Sequence, residues 1–167
     1  TWEEISVLFE PKTLSIKEYF VEEHKQATEI AFLEEGCVRA FFTNSEAKEY
    51  NKQFFIAPNF IGAYTSLLTK EKNLIPQQAL TECKIWVVNY SELEIRYAKF
   101  HDLERLGRKV AEYYFLEKER KELEMALQDA TERYLKFKHQ FPTLEQLIPQ
   151  YHIASYLGVS ATQLSRL

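Results

Sequence analysis

The feature that most constrains this chain is a change of texture at Ser91. Before it, short apolar runs alternate with polar turns; after it, no proline occurs until Pro142 and apolar residues recur at helical spacing. Strands first and helices afterwards predict an α+β chain rather than alternating β-α units. Leu14, Ile16 and Tyr19 suggest one face of a strand, and Ile30, Phe32 and Leu33 lead to a turn at Glu34-Glu35-Gly36. Cys37 to Thr43 and Tyr50 to Ile56 are strong strand candidates, separated by the polar Asn44-Ser45-Glu46. Gln77 to Leu80 and Lys84 to Val88 are shorter ones, and Tyr64 to Lys70 reads as a helical turn. Short strands at near-even spacing predict a sandwich or jelly-roll barrel over residues 10–90. Trp2, Ile5 and Leu8 recur every three residues and suggest a short helix packed on it.

Beyond Ser91, that residue and Glu94 form a capping-box pattern that predicts a helix start. The longest helical stretch follows. Phe100, Leu103, Leu106, Gly107, Val110, Ala111 and Tyr114 line one face, and Gly107 leaves room for another helix to come close. Glu117 to Glu122 is wholly charged, and Leu123, Met125 and Leu127 then resume the apolar pattern. A long helix with a narrow apolar stripe needs a partner, and a second copy is the simplest one. The dimer face is expected at Leu103, Leu106, Gly107, Val110 and Tyr114; packing on its own barrel is the other possibility.

A further helix is expected over 129–141, and Thr143-Leu-Glu-Gln146 repeats the capping-box pattern. The last stretch, Gln150 to Leu167, reads as two short helices around a tight turn. Ile153, Ala154 and Leu157 form an apolar face, Gly158 suits the left-handed residue that ends a helix, and Ser160 is a good N-cap. Leu164 and Leu167 are expected to face the same core, leaving Thr162, Gln163, Ser165 and Arg166 outward. Helix, glycine turn, and a second helix carrying small polar groups and an arginine form the DNA-binding helix-turn-helix pattern. An ordinary helical hairpin would look similar.

Composition bounds the alternatives. The chain is 46% hydrophobic and 28% charged, enough for a real core, and no run of 18 apolar residues suggests a membrane span. No signal peptide is apparent, and a cytoplasmic protein is expected; the chain does not begin with Met. The net charge of −4 argues against an extended nucleic-acid surface. Residues 128–167, however, hold four Lys/Arg (Arg133, Lys136, Lys138, Arg166) against three acids (Asp129, Glu132, Glu145), so a small reader on an acidic body is consistent. Cys37 and Cys83 show no pairing or metal-ligand spacing and are expected to be buried small hydrophobes.

The order of barrel, long helix and helix-turn-helix resembles the Crp/Fnr transcription regulators. The local matches are Phe55-Ile-Ala-Pro-Asn-Phe-Ile-Gly62 and Ile153-Ala-Ser-Tyr-Leu-Gly-Val-Ser160; Glu132-Arg-Tyr-Leu135 and Pro149 to Gly158 resemble the branch common in Bacteroidetes-type bacteria. The resemblance implies a double-stranded β-helix barrel of the cyclic-nucleotide-binding type over 1–98, a dimerisation helix over 99–127, and a DNA-binding domain over 128–167. That domain would be a winged helix-turn-helix, incomplete at its C-terminal end. It implies a homodimer reading palindromic double-stranded DNA, a small-molecule effector, RNA polymerase as a further partner, and no enzyme activity. Laid on the family's cyclic-AMP cassette, Gly62 matches the glycine, but Ala63 replaces the ribose-binding glutamate. Asn73 and Leu74 replace the arginine and serine that hold the phosphate. Without the bidentate arginine the anion loses its clamp, so cyclic AMP is not expected to bind in the family's way, and the effector is unknown. The base-reading positions fall on Ala161, Thr162, Ser165 and Arg166, and phosphate contacts on Ser160 and Gln163. Arg166 is the foremost base contact, because arginine pairs bidentately with guanine. No metal or cofactor is expected.

Two rivals remain. A cupin-like metalloenzyme would need clustered histidines, and His24 is the barrel's only one. A cyclic-nucleotide-binding signalling module would have no need of the Gly158-Val159-Ser160 turn.

Overall fold

The computed structural model describes residues 1–167. Helix α1 (Trp2–Ser6) precedes β1 (Glu10–Leu14), β2 (Tyr19–Val21), β3 (Glu29–Glu35), β4 (Cys37–Thr43), β5 (Glu49–Ile56) and β6 (Asn59–Ile61). Helix α2 (Tyr64–Thr69) interrupts the strands, which end with β7 (Gln77–Ala79) and β8 (Cys83–Asn89). Then come α3 (Tyr90–Tyr97), α4 (His101–Leu127), α5 (Ala130–Gln140), α6 (Leu144–Leu147), α7 (Gln150–Leu157) and α8 (Ala161–Leu164). The strands form two antiparallel four-stranded sheets, ordered β1-β8-β3-β6 and β2-β7-β4-β5. Leu14, Leu33, Val38, Phe55, Ile61 and Ile85 fill the space between the sheets.

Strand periodicity explains how this barrel serves two neighbours. In β4, Val38 and Ala40 point into the barrel core while Cys37 and Arg39 point out. In β5, Phe55 joins the barrel core and Phe54 faces the opposite way. The outward set is covered by the C-terminal helices. Phe54 stacks among Phe137, Phe141 and Tyr156, with ring centroids 5.0–6.4 Å away. Hence β4 is buried continuously from Cys37 to Phe41, Arg39 included, as a strand covered on both faces should be.

Several sequence expectations change. Leu14 and Tyr19 belong to different strands in different sheets, because the chain turns at Ser15–Glu18, where Glu18 accepts from the Ser15 N–H at 2.9 Å. The cap of α3 is Asn89, whose Oδ1 accepts from the Ser91 N–H at 3.0 Å, so the helix starts one residue before Ser91. Asn89 won because the short asparagine side chain reaches the first free N–H groups directly. Thr143 precedes α6 without making a side-chain cap bond. Leu167 is 41% exposed and not part of the reader core, whereas Leu164 is buried.

Candidate functional site: a barrel–helix cavity and a helix-turn-helix

Helix α4 crosses the barrel and borders a cavity of about 1430 Å³ that opens to solvent. The four cassette positions, Gly62, Ala63, Asn73 and Leu74, all line it. So do Leu103, Leu106, Gly107, Val110 and Tyr114 from α4. The five residues assigned to a dimer face therefore look mainly toward their own barrel. Leu103 packs beside Ile5, Val88 and Leu93. A Cβ on Gly107 would lie 2.8 Å from the Tyr97 hydroxyl, so the close approach this glycine permits is that of α3 in the same chain. The Tyr114 hydroxyl has both Asn59 Oδ1 and the Phe60 carbonyl oxygen within reach of its single proton, and its ring meets Phe55 edge-on. Only Leu106 of the five is a largely exposed side chain, at 50%.

A second stripe runs along the outside of α4. Leu106, Tyr113, Leu116, Leu123 and Leu127 are 50–77% exposed, and no residue of this 27-residue helix is fully buried. Leu106, Tyr113 and Leu127 share one heptad position; Leu116 and Leu123 share the position three residues on. Lys109 and Arg120 interrupt the stripe.

Within the cavity wall the cassette positions hold no charge. Asn73 is buried and both its amide hydrogens are used: Nδ2 donates to the Glu22 and Ile75 carbonyls, and Oδ1 accepts from the Ile75 N–H. Leu74 is 64% exposed at the rim. Lys70 is turned away toward Glu94, 3.7 Å distant.

At the other end, α7 and α8 form the helix-turn-helix. Gly158 takes φ +70°, and the Val159 N–H returns to the Ala154 carbonyl at 3.0 Å, closing α7 in the manner that needs a left-handed residue. Ser160 and Gln163 make a reciprocal capping box: Ser160 Oγ accepts from the Gln163 N–H at 3.1 Å, and Gln163 Oε1 accepts from the Ser160 N–H at 2.9 Å. Leu164 anchors α8 inward with Ile153, Ala154 and Leu157. Ala161, Thr162, Gln163, Ser165 and Arg166 are exposed. Arg166 has no carboxylate within ion-pair distance, so its guanidinium is not committed within the chain.

Between the two sites lies a junction that the sequence reading missed. Arg39, 4% exposed, donates to Glu49 at 2.6 Å, to Gln78 at 2.7 Å and to Asn51 at 3.3 Å, and lies 3.3 Å from His152 Nδ1 of α7. Asn51 Nδ2 donates to the His152 carbonyl at 2.9 Å; the Asn51 N–H donates to Ser155 Oγ, and that hydroxyl donates to the Glu49 carbonyl. Burial, reinforced by the Arg39 charge, pushes the His152 imidazole down to about 4, with Glu49 opposing. The C-terminal carbonyls of α7 are held as well. Lys121 of α4 donates to the Tyr156 oxygen at 2.8 Å and Arg133 of α5 to the Leu157 oxygen at 3.1 Å. Desolvation lowers Lys121 to about 7. One local signal existed: an arginine in the middle of the apolar run Cys37-Val-Arg-Ala-Phe-Phe implies a buried partner set.

No protein-family model matches the sequence, and no curated protein matches it significantly. Solved structures do match. FixK2 from Bradyrhizobium japonicum superposes with a TM-score of 0.80 at 16% identity, over 95% of this chain and 81% of that one. The c-di-GMP responsive global regulator CLP from Xanthomonas campestris gives 0.77 at 14% identity, over 98% and 86%. A transcriptional regulator assigned to the crp/fnr family, from Eubacterium rectale, gives 0.78 at 12% identity, over 98% and 78%. At these identities the likeness is one of architecture, and the fold of this chain is that of the Crp/Fnr regulators.

Proposed function

We propose that this chain is a dimeric, DNA-binding transcription regulator of the Crp/Fnr type, without enzymatic activity, whose barrel senses a small molecule. The observation that carries this reading is the exposed outer face of α8. α8 is a single turn, Ala161–Leu164: Leu164 anchors its apolar side, Ser160 and Gln163 cap its N-terminus, Thr162 faces outward beside Ala161, and Ser165 and Arg166 are exposed just past its end. That is the geometry a recognition helix needs to enter a major groove. Ser160 and Gln163 are assigned to phosphate. Their cap leaves the Gln163 amide nitrogen free to donate while its oxygen is engaged. Thr162 can meet a thymine methyl group, and Arg166 a guanine. The two-fold contact is assigned to the outer α4 stripe, Leu106, Tyr113, Leu116, Leu123 and Leu127, because Tyr114 and Gly107 are engaged within the chain.

Cyclic AMP is not the effector in this reading, since Ala63, Asn73 and Leu74 offer the phosphate and ribose no charged partner. The test of the reader is Arg166→Ala. It should cost about 1–3 kcal/mol at a single base step and relax selectivity there. Unchanged affinity and selectivity on a selected operator would remove Arg166 from the reading set.

A further inference from the structure

The cavity under α4 is too large to be a packing defect: ordinary ligand pockets run from about 300 to 1,000 Å³, and this one reaches about 1430 Å³. Of the 39 residues around it, 23 are hydrophobic, and none is arginine. Of its three lysines, Lys72 and Lys118 are exposed at the surface, and desolvation, with Lys118 nearby, holds Lys52 below the ordinary lysine range, so none is a charge fixed in the wall by a partner. The buried polar groups of the wall are largely spoken for. Both amide hydrogens of Asn73 are used as described, and Ser66 Oγ accepts from the Ala27 N–H and donates to the Glu71 carbonyl. Gln77, 4% exposed, differs: Nε2 donates to the Gly62 carbonyl at 3.0 Å, which fixes the orientation of the amide, and Oε1 is enclosed with no partner. The outer stripe of α4 and the cavity overlap little: Leu106 is the one residue of the stripe that reaches the cavity, and Phe115 is the other largely exposed α4 apolar side chain in its lining.

We infer that the cavity binds an uncharged, predominantly apolar small molecule. This rests on the reading of the barrel as a sensor and adds the class of ligand. A charged ligand would leave water for a wall whose charged groups, Glu34, Glu71, Asp102 and the three lysines, all have exposed side chains, which is costly, whereas an apolar body gains by covering Ile61, Val110 and Phe55. The one acceptor still lacking a donor, Gln77 Oε1, favours a ligand carrying a hydroxyl or N–H group over a pure hydrocarbon.

The test uses two probes with the same aromatic body: N-phenylnaphthylamine, which is neutral with one N–H, and its sulfonated analogue, anilinonaphthalene sulfonate. Both are titrated by fluorescence into the full chain without DNA, so the result is independent of whether the chain reads DNA. The neutral probe should bind once per chain, at least about ten-fold more tightly than the sulfonate, a preference worth about 1.4 kcal/mol. Cyclic AMP should not displace it. Val110→Trp and, separately, Ala111→Phe should each fill part of the cavity and weaken probe binding at least about ten-fold while circular dichroism stays unchanged. Absence of neutral-probe binding, equal or tighter binding of the sulfonate, stoichiometric displacement by cyclic AMP, or undiminished binding in whichever filled variants remain folded would each overturn the inference.

Discussion

The barrel meets helices on two sides, and it meets them in opposite ways. On the reader side the contact is closed. Phe54 is seated in an aromatic cluster, and the polar groups around Arg39, Asn51 and His152 satisfy one another. On the α4 side the contact is open. Tyr114 and Gly107 hold the helix to the barrel and to α3 at intervals, and about 1430 Å³ lies between them. The space opens to solvent, so a ligand can reach its apolar wall. A tight joint on one face and an unfilled one on the other therefore point to different uses. The reader side transmits position: α7 is bonded to β5, α4 and α5 at once, so its placement depends on all three. The α4 side leaves room for something to bind.

Truncations give the comparison its most direct challenge. Phe54→Ala, on the closed side, should cost about 3–5 kcal/mol in chemical denaturation and free the C-terminal helices from the barrel. An effect under about 1 kcal/mol, the range of an ordinary surface change, would mean the joint is not closed in solution. A smaller effect is expected from pH. The folded-state His152 lies at about 4, below the 6.5 of an unperturbed imidazole, so the unfolded chain binds the proton more readily. Its contribution to stability is complete above pH 6.5 and is lost as the pH falls from 6.5 to about 4. His152→Gln should flatten that part of the pH–stability curve relative to wild type; identical slopes would show that the junction does not exclude the proton. Gly158→Ala should cost about 1 kcal/mol from backbone strain at positive φ. The added Cβ also meets Met125 Cε at 2.7 Å, a flexible tip that can move aside. The smallest change belongs to the open side. Val110→Ala should cost under about 1 kcal/mol, since little surrounds the removed methyl groups. A loss equal to that of Phe54→Ala would mean the cavity closes in solution and would erase the contrast.

Much of this architecture was legible because its causes are local. Gly158 and the Ser160–Gln163 pair announce the turn and second helix through their own backbone needs, and the texture change at Ser91 separates barrel from helices. The limits of β4 and β5 followed closely from alternation and turn residues, whereas the break between β1 and β2 at Ser15–Glu18 did not. The facing of α4 was not legible in the same way. Leu103, Gly107, Val110 and Tyr114 recur with helical period whether they meet a barrel or a second helix, and period alone does not say which. The junction was hidden for another reason. Arg39 and His152 are 113 positions apart, and their meeting depends on the fold bringing β4 beneath α7. The cassette changes at Ala63, Asn73 and Leu74 were visible as departures, but that Asn73 has no free donor left is a property of the folded loop.

The central claim is that a two-fold dimer of this fold reads DNA through α8, and selection of bound duplexes from a random pool tests it most directly. With the full-length protein the account predicts an enriched palindrome whose half-sites are centred about one helical turn apart, roughly 34–36 Å. The enrichment should be relaxed at one step per half-site by Arg166→Ala. A pool that stays random, or an enriched site without two-fold symmetry that is indifferent to Arg166, would contradict it.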